Sequence, residues 1–135
     1  MIFMRSSRLR VSTLPTDLTG EVCGVVTDNF LGALVYLLRR ILLDYSDTLA
    51  TGILRRLAEA LPADNPKARV IIMEERLLEV PTPQNSVVDM VMLNLGGKLR
   101  NEAMFRDMAA AAGLRLVGYY TREEDSMSVV ECARA

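Results

Sequence analysis

Residues Val35–Asp47 read VYLLRRILLDYSD: aliphatic side chains set around a pair of arginines, followed by a polar, aromatic tail that can start a helix. Two readings are open from periodicity alone. Leu31–Leu43 can wind as one helix, or Val35–Leu38 can be a core strand that feeds a helix beginning at Ser46. The order of the segments that follow, helix, strand, helix and hairpin, argues for a layered α/β domain and not a bundle, while this stretch itself stays open between the two readings.

Downstream, Ser46 or Asp47 can cap a helix whose apolar stripe runs Leu49, Ile53, Leu54, Leu57 and Leu61 and stops at Pro62. The segment RVIIMEE (Arg69–Glu75) is apolar, β-rich and too short for a helix, and predicts a buried strand. A proline-bearing loop, EVPTPQN, follows, then a helical stretch from Ser86 to Leu95 that Gly96 and Gly97 end. Asn101 caps a second strong helix, rich in alanine and closed by Gly113. The arms LRLVGYYT and MSVVECA, on either side of the acidic REEDS, predict a closing hairpin. Upstream of Phe30 the β-branched runs, broken by Pro15 and Gly20, suggest two short strands around a turn.

Composition narrows the class. The chain has 135 residues, which fits one domain, and half of them are apolar. Its 16 basic and 17 acidic residues leave a formal net charge of -1, so charge gives no case for nucleic acid or an anionic membrane as partner. There is no histidine, and Cys23 and Cys132 match no metal or redox spacing, so no metal site is expected and free thiols in a reducing compartment are. Arginines interrupt both the opening MIFMRSSRLRV and the run at Leu31–Leu38, leaving neither a signal peptide nor a membrane span; a soluble, cytoplasmic chain is expected.

The blocks VYLLRRILLDYSD, VIIMEE, DMVML, GGKLRNEAMF, AAAAGLRLV and MSVVE, in this order, resemble the C-terminal part of the plant and fungal type O-methyltransferases, which use S-adenosyl-L-methionine. The likeness runs from about Gly32 to Ala135. It implies an α/β fold: a partial Rossmann-like methyltransferase sheet, its last four strands ending in an antiparallel hairpin, with flanking helices. Residues 31–135 would be this partial domain, and residues 1–30 a poorly matched segment able to supply substitute strands. The resemblance makes Val35–Leu38 the family's fourth strand.

It also assigns roles. Methyl transfer to a phenol needs a base near neutrality to take the proton, usually histidine. The family carries that histidine before the aspartate of an HDW-like motif; here Leu43 precedes Asp44 and Tyr45. A flanking carboxylate of the family aligns with Glu74, and a second, in a GGKERT-like segment, aligns with Leu99. If this chain is an enzyme, Asp44 or Glu74 is the candidate base. Asp28 in TDNF, with Asp17 as a weaker candidate, matches an aspartate near the adenine. Arg39 matches a basic residue near the cofactor, and Met90 and Met92 match positions that line the pocket for a small hydroxylated acceptor. Without the resemblance, Asp17 and Asp28 read as solvated loop residues, Glu74 as a solvated neighbour of Arg76, Arg39 as a surface arginine, and Met90 and Met92 as core.

The glycines form no G-x-G-x-G pattern, so the turn whose amides approach the cofactor in the family is missing from this sequence. An inactive chain is therefore expected. The alternatives are a catalytically silent module that pairs with itself or with a full-length methyltransferase, or a remnant with no selected function. In the family the fourth strand lies beside the first, so Val35–Leu38 needs a cover: RLRVSTL, EVCGVVTD or a second copy.

Overall fold

The computed structural model describes residues 2–5, 8–11, 33–122 and 125–135. Among the described residues the elements are β1 (Ile2–Arg5), β2 (Arg8–Val11), β3 (Val35–Arg39), α1 (Asp47–Ala60), β4 (Arg69–Glu75), α2 (Pro83–Asn94), α3 (Glu102–Ala111), β5 (Leu114–Thr121) and β6 (Met127–Arg134), with a 3-10 turn at Leu42–Asp44. Val35–Arg39 is thus a strand, and the helix starts only after Ser46.

The strands form one sheet in the order β2-β1-β3-β4-β6-β5. β3 and β4 run parallel, with Tyr36 opposite Val70 and Leu38 opposite Ile72, and α1 makes the crossover between them. β6 is antiparallel to both β4 and β5, which closes the sheet with the hairpin expected from sequence. The free side of β3 is taken by β1, antiparallel, with Ile2 opposite Leu37 and Met4 opposite Val35; β2 pairs in turn with β1. The strand against β3 is therefore Ile2–Arg5, upstream of RLRVSTL, while EVCGVVTD and the turn at Pro15–Gly20 lie outside the described residues.

Side chains alternate along β4 with strict period two: Val70, Ile72 and Glu74 are buried, and the residues between them are half-buried. The buried face of β3 and β4 joins Ala50, Leu54, Leu57 and Ala58 of α1, Phe105 and Ala109 of α3, and Leu114, Val130 and Cys132 of the hairpin in one core. Each fully buried leucine or phenylalanine there contributes roughly 1.5–3 kcal/mol. Leu49, expected on the buried stripe of α1, is 49% exposed; Ala50 takes its place, because the stripe is set by Ala50, Ile53, Leu54 and Leu57.

α2 begins earlier than Ser86. The Thr82 side chain accepts from the Asn85 N–H at 3.1 Å and Pro83 occupies the first turn, where a missing N–H costs nothing. Of this helix only Asn85 is buried; Val87, Met90, Val91 and Leu93 are exposed, as are Val80 before it and Leu95 at its end. At the end of α2 the two glycines have different tasks. Gly96 takes a left-handed φ of 82°. At Gly97 a Cβ would lie 1.9 Å from the Leu43 carbonyl oxygen, so only glycine admits the backbone contact.

Candidate functional site

The site forms where β3 ends. Arg40 takes a left-handed φ of 52°, unusual without glycine, while its N–H still reaches the Met73 carbonyl at 2.9 Å. The reversal turns the next amides inward onto β4. Ile41, Leu42 and Leu43 all donate N–H to Oε1 of Glu74, Ile41 at 3.0 Å and Leu43 at 3.3 Å. Glu74 is 1% exposed. It shares the β4 face of Val70 and Ile72 and is therefore buried, not the solvated neighbour of Arg76 that the residues alone suggest.

The other side of the turn is held by Arg100, whose guanidinium is fully buried. Its Nη1 donates to the Leu42 carbonyl at 2.8 Å, Nη2 to the Tyr45 carbonyl at 2.7 Å, and Nε to Oδ1 of Asp47 at 3.0 Å. Lys98 adds a second cation to Asp47 at 2.5 Å, and its N–H donates to the Leu43 carbonyl at 3.0 Å. One turn thus has three amides fixed by a buried carboxylate and two carbonyls fixed by a buried guanidinium. Leaving any of these groups unpaired inside the core would cost about 1–3 kcal/mol.

Burial pushes the Glu74 carboxyl up to about 7, against the pull of the Leu42 and Ile41 N–H groups, the Arg100 charge and the Leu43 N–H. Burial also works against ionisation of Asp47, yet the hydrogen bonds from Lys98 and Arg100 keep its carboxyl below the usual range. Dehydration raises the Asp44 carboxyl, with Arg40 opposing.

Leu43, Glu74 and Leu99 are brought together by this packing. The Leu43 N–H meets Glu74, the Leu43 carbonyl meets Lys98, and Leu99 follows with its N–H on Oδ1 of Asp89 at 3.3 Å. Both leucines are buried. Asp44 is exposed beside them, and Arg39 is exposed at the end of β3. Met90 is 65% exposed and Met92 half-buried, so neither belongs to the core. Asp17, Asp28 and Cys23 lie outside the described residues. Arg100 was not singled out from sequence; its signal was its place directly after Leu99 in GGKLRN. Among the described residues no group of three acidic, cysteine or histidine side chains could hold a metal ion, and no helix is long and apolar enough to cross a membrane.

A parallel β-α-β unit closed by an antiparallel hairpin is an arrangement found in Rossmann-like α/β sheets. The chain belongs to the O-methyltransferase domain family, whose sequence profile matches residues 16–115. It is similar to Methyltransferase cfoD of Aspergillus candidus, 39% identical over 104 residues that cover 77% of this chain and 25% of that protein. The Mitomycin biosynthesis 6-O-methyltransferase of Streptomyces lavendulae is 32% identical over 105 residues, covering 77% of this chain and 29% of that protein. Among solved structures, the Mitomycin 7-O-methyltransferase MmcR superposes with a TM-score of 0.71 at 31% identity, over 78% of this chain and 30% of that one. LepI, solved in complex with SAM, superposes with a TM-score of 0.69 at 26% identity, over 78% of this chain and 27% of that one. The chain therefore spans between a quarter and a third of the length of these relatives.

Proposed function

We propose that this chain is built as the C-terminal part of an S-adenosyl-L-methionine-dependent O-methyltransferase for a small hydroxylated aromatic acceptor, and that by itself it transfers no methyl group. The carrying observation is the state of the proton-accepting positions. Leu43 has no lone pair to offer, Leu99 has none either, and the Glu74 oxygen that faces the turn already accepts from Ile41, Leu42 and Leu43. Asp44 is the remaining candidate base, exposed at the same turn, its carboxyl raised by partial burial with the Arg40 charge opposing.

The cofactor, when bound, supplies an electrophilic methyl on a sulfonium. The residues here do not fit it unaided: the amides at the end of β3 are committed to Glu74, and the sequence has no glycine-rich turn to replace them. Arg39 and Asp28 are the positions proposed to face the cofactor, and Met90 and Met92 those proposed to face the acceptor; exposure of Arg39 and Met90 is compatible with both roles. Two measurements test the reading. Calorimetric titration with S-adenosyl-L-methionine should give no heat of binding, and radiolabel transfer to catechol should equal a no-protein blank. Micromolar binding or transfer above blank defeats it.

A second reading, a catalytically silent module that pairs with itself or with a full-length methyltransferase, is favoured by the exposed apolar run Val87, Met90, Val91, Leu93 and Leu95. Light scattering of the purified chain separates the two: a dimer that Met90→Lys dissociates supports pairing, and a monomer at high micromolar concentration removes self-association.

A further inference from the structure

Between Val80 and Gly96 the sequence holds a single charged residue, Asp89, in a chain where 24% of residues are charged. The helix in this stretch, α2, is apolar on both sides. Val88 and Met92 lie on its half-buried side, and Val87, Met90 and Val91 on its solvent side. A surface helix keeps charge on its outer face, and one that is apolar all round belongs between two packed surfaces. Among the described residues, six of the nine large apolar residues left exposed lie here: Val80, Val87, Met90, Val91, Leu93 and Leu95, between 48% and 84% exposed. The other three, Leu49, Val117 and Tyr120, are spread over α1 and β5.

This face is fixed outward by what holds the inner one. Nδ2 of Asn85 donates to the Arg76 carbonyl at 3.1 Å, Oδ1 of Asp89 accepts from the Leu99 N–H at 3.3 Å, and the Gly97 N–H donates to the Met92 carbonyl at 2.8 Å. Turning the helix to bury Met90 would break the first two of these bonds.

Area and charge decide what can cover it. At these exposures the six residues present roughly 600 Å², the upper end of the largest apolar patch on a typical monomer. Two such faces set against each other bury about 1,200 Å², which reaches the size of a stable interface. No Lys or Arg stands between Val80 and Gly96, so the helix lacks the cations with which an amphipathic helix holds a lipid surface. A charged protein partner finds nothing to pair with, because the one carboxylate is turned to Leu99. A second copy offers the same uncharged surface, and a formal net charge of -1 leaves little repulsion between copies.

We propose that the outer face of α2 docks a second copy of this chain, α2 against α2 and antiparallel, about a two-fold axis beside Met90 and Val91. Val87, Met90, Val91 and Asn94 have the i, i+3, i+4, i+7 spacing of one helix face, so the two-fold sets Val87 against Asn94 of the second copy. The inference rests on the pairing-module reading and gives it a partner and a geometry.

Sedimentation velocity of the full chain, from low to high micromolar concentration, should show a monomer–dimer equilibrium. Met90→Lys and Val91→Lys, both at exposed positions, should keep the wild-type circular dichroism and weaken the dimer by about tenfold or more. Val117→Lys, which places the same charge on β5, should leave it unchanged. On oxidation, Val87→Cys mixed with Asn94→Cys should give a cross-linked dimer, while Val87→Cys alone should not exceed the wild-type background set by Cys23 and Cys132. A chain that stays monomeric at high micromolar concentration overturns the proposal, as does a dimer that Met90→Lys and Val91→Lys leave intact. Val87→Cys that links to itself as readily as to Asn94→Cys overturns it too, and so does a monomer that sediments with phosphatidylcholine vesicles. If the dimer forms as stated and radiolabel still passes to catechol above blank, the pairing stands and the silent-module reading falls.

Discussion

Replacing Glu74 by glutamine should remove a pH dependence that the wild-type fold carries. The carboxyl ionises near 4.5 when unfolded and is pushed up to about 7 in the core, chiefly by burial. A carboxyl with a raised folded-state value binds its proton more tightly when folded. Its contribution is fully present below about 4.5, falls across the interval and is lost as pH rises through about 7. At roughly 1.4 kcal/mol for each pH unit of that interval, the loss is about 3 kcal/mol. Glutamine does not titrate, and its amide oxygen can still accept from Ile41, Leu42 and Leu43. Urea unfolding followed by circular dichroism, run on both proteins from pH 4.5 to 8, isolates the effect, because Asp47 and the other shared carboxylates cancel in the difference. Wild-type stability minus variant stability should fall by about 3 kcal/mol over this range. A difference that stays flat to within about 1 kcal/mol, or that rises with pH, would refute the placement of an ionisable carboxyl in this core.

Arg100→Met should cost about 3–5 kcal/mol by the same assay, because the carbonyls of Leu42 and Tyr45 lose a buried donor and Asp47 loses a cation. A cost below about 1 kcal/mol would show the turn to be held without it. Gly97→Ala should abolish cooperative melting or displace the turn, given the contact with the Leu43 carbonyl; an unchanged melting temperature contradicts the close approach. Leu43→His should lower stability, since it exchanges a buried leucine for a polar ring, and should restore no radiolabel transfer to catechol. Transfer above blank would show that the base was the one missing part. Deleting residues 1–11 should expose the β3 edge and drive association seen by light scattering, and a soluble monomer would show that another segment covers it.

The element order was legible because the punctuation is local. Asn101 accepts from the Met104 N–H at the start of α3 and Gly113 follows its end, while Ser46 stands at the N-cap position of α1 without a side-chain cap bond; the helices still start and stop where these residues mark. The start of α2 was hidden by its prolines: Pro81 and Pro83 read as loop, although the second occupies a first-turn position that proline suits. The burial of Glu74 was hidden by its strand. In RVIIMEE both faces are apolar, so the phase of the alternation cannot be read until a partner sheet face chooses Val70 and Ile72. Arg100 was missed because its three partners, the carbonyls of Leu42 and Tyr45 and the carboxylate of Asp47, lie more than fifty residues away, and no local pattern encodes such a contact. The pairing of Ile2–Arg5 with β3 is nonlocal in the same sense.

The family resemblance marks three positions around the turn as acid-base positions, and physical chemistry separates them by what else they hold. A side chain at the Leu43 position has no structural duty beyond filling space, and a buried leucine there stabilises the fold by roughly 1.5–3 kcal/mol. The same holds for Leu99, whose structural task is done by its backbone N–H on Asp89. Glu74 differs, because its carboxylate accepts from the amides of Ile41, Leu42 and Leu43, which no apolar residue can satisfy. Arg100 differs for the mirror reason, as the donor to two carbonyls of the same turn. A chain free of any demand for proton transfer, but still required to fold, would give up the first two carriers of charge and keep the second two, and that is the set found here.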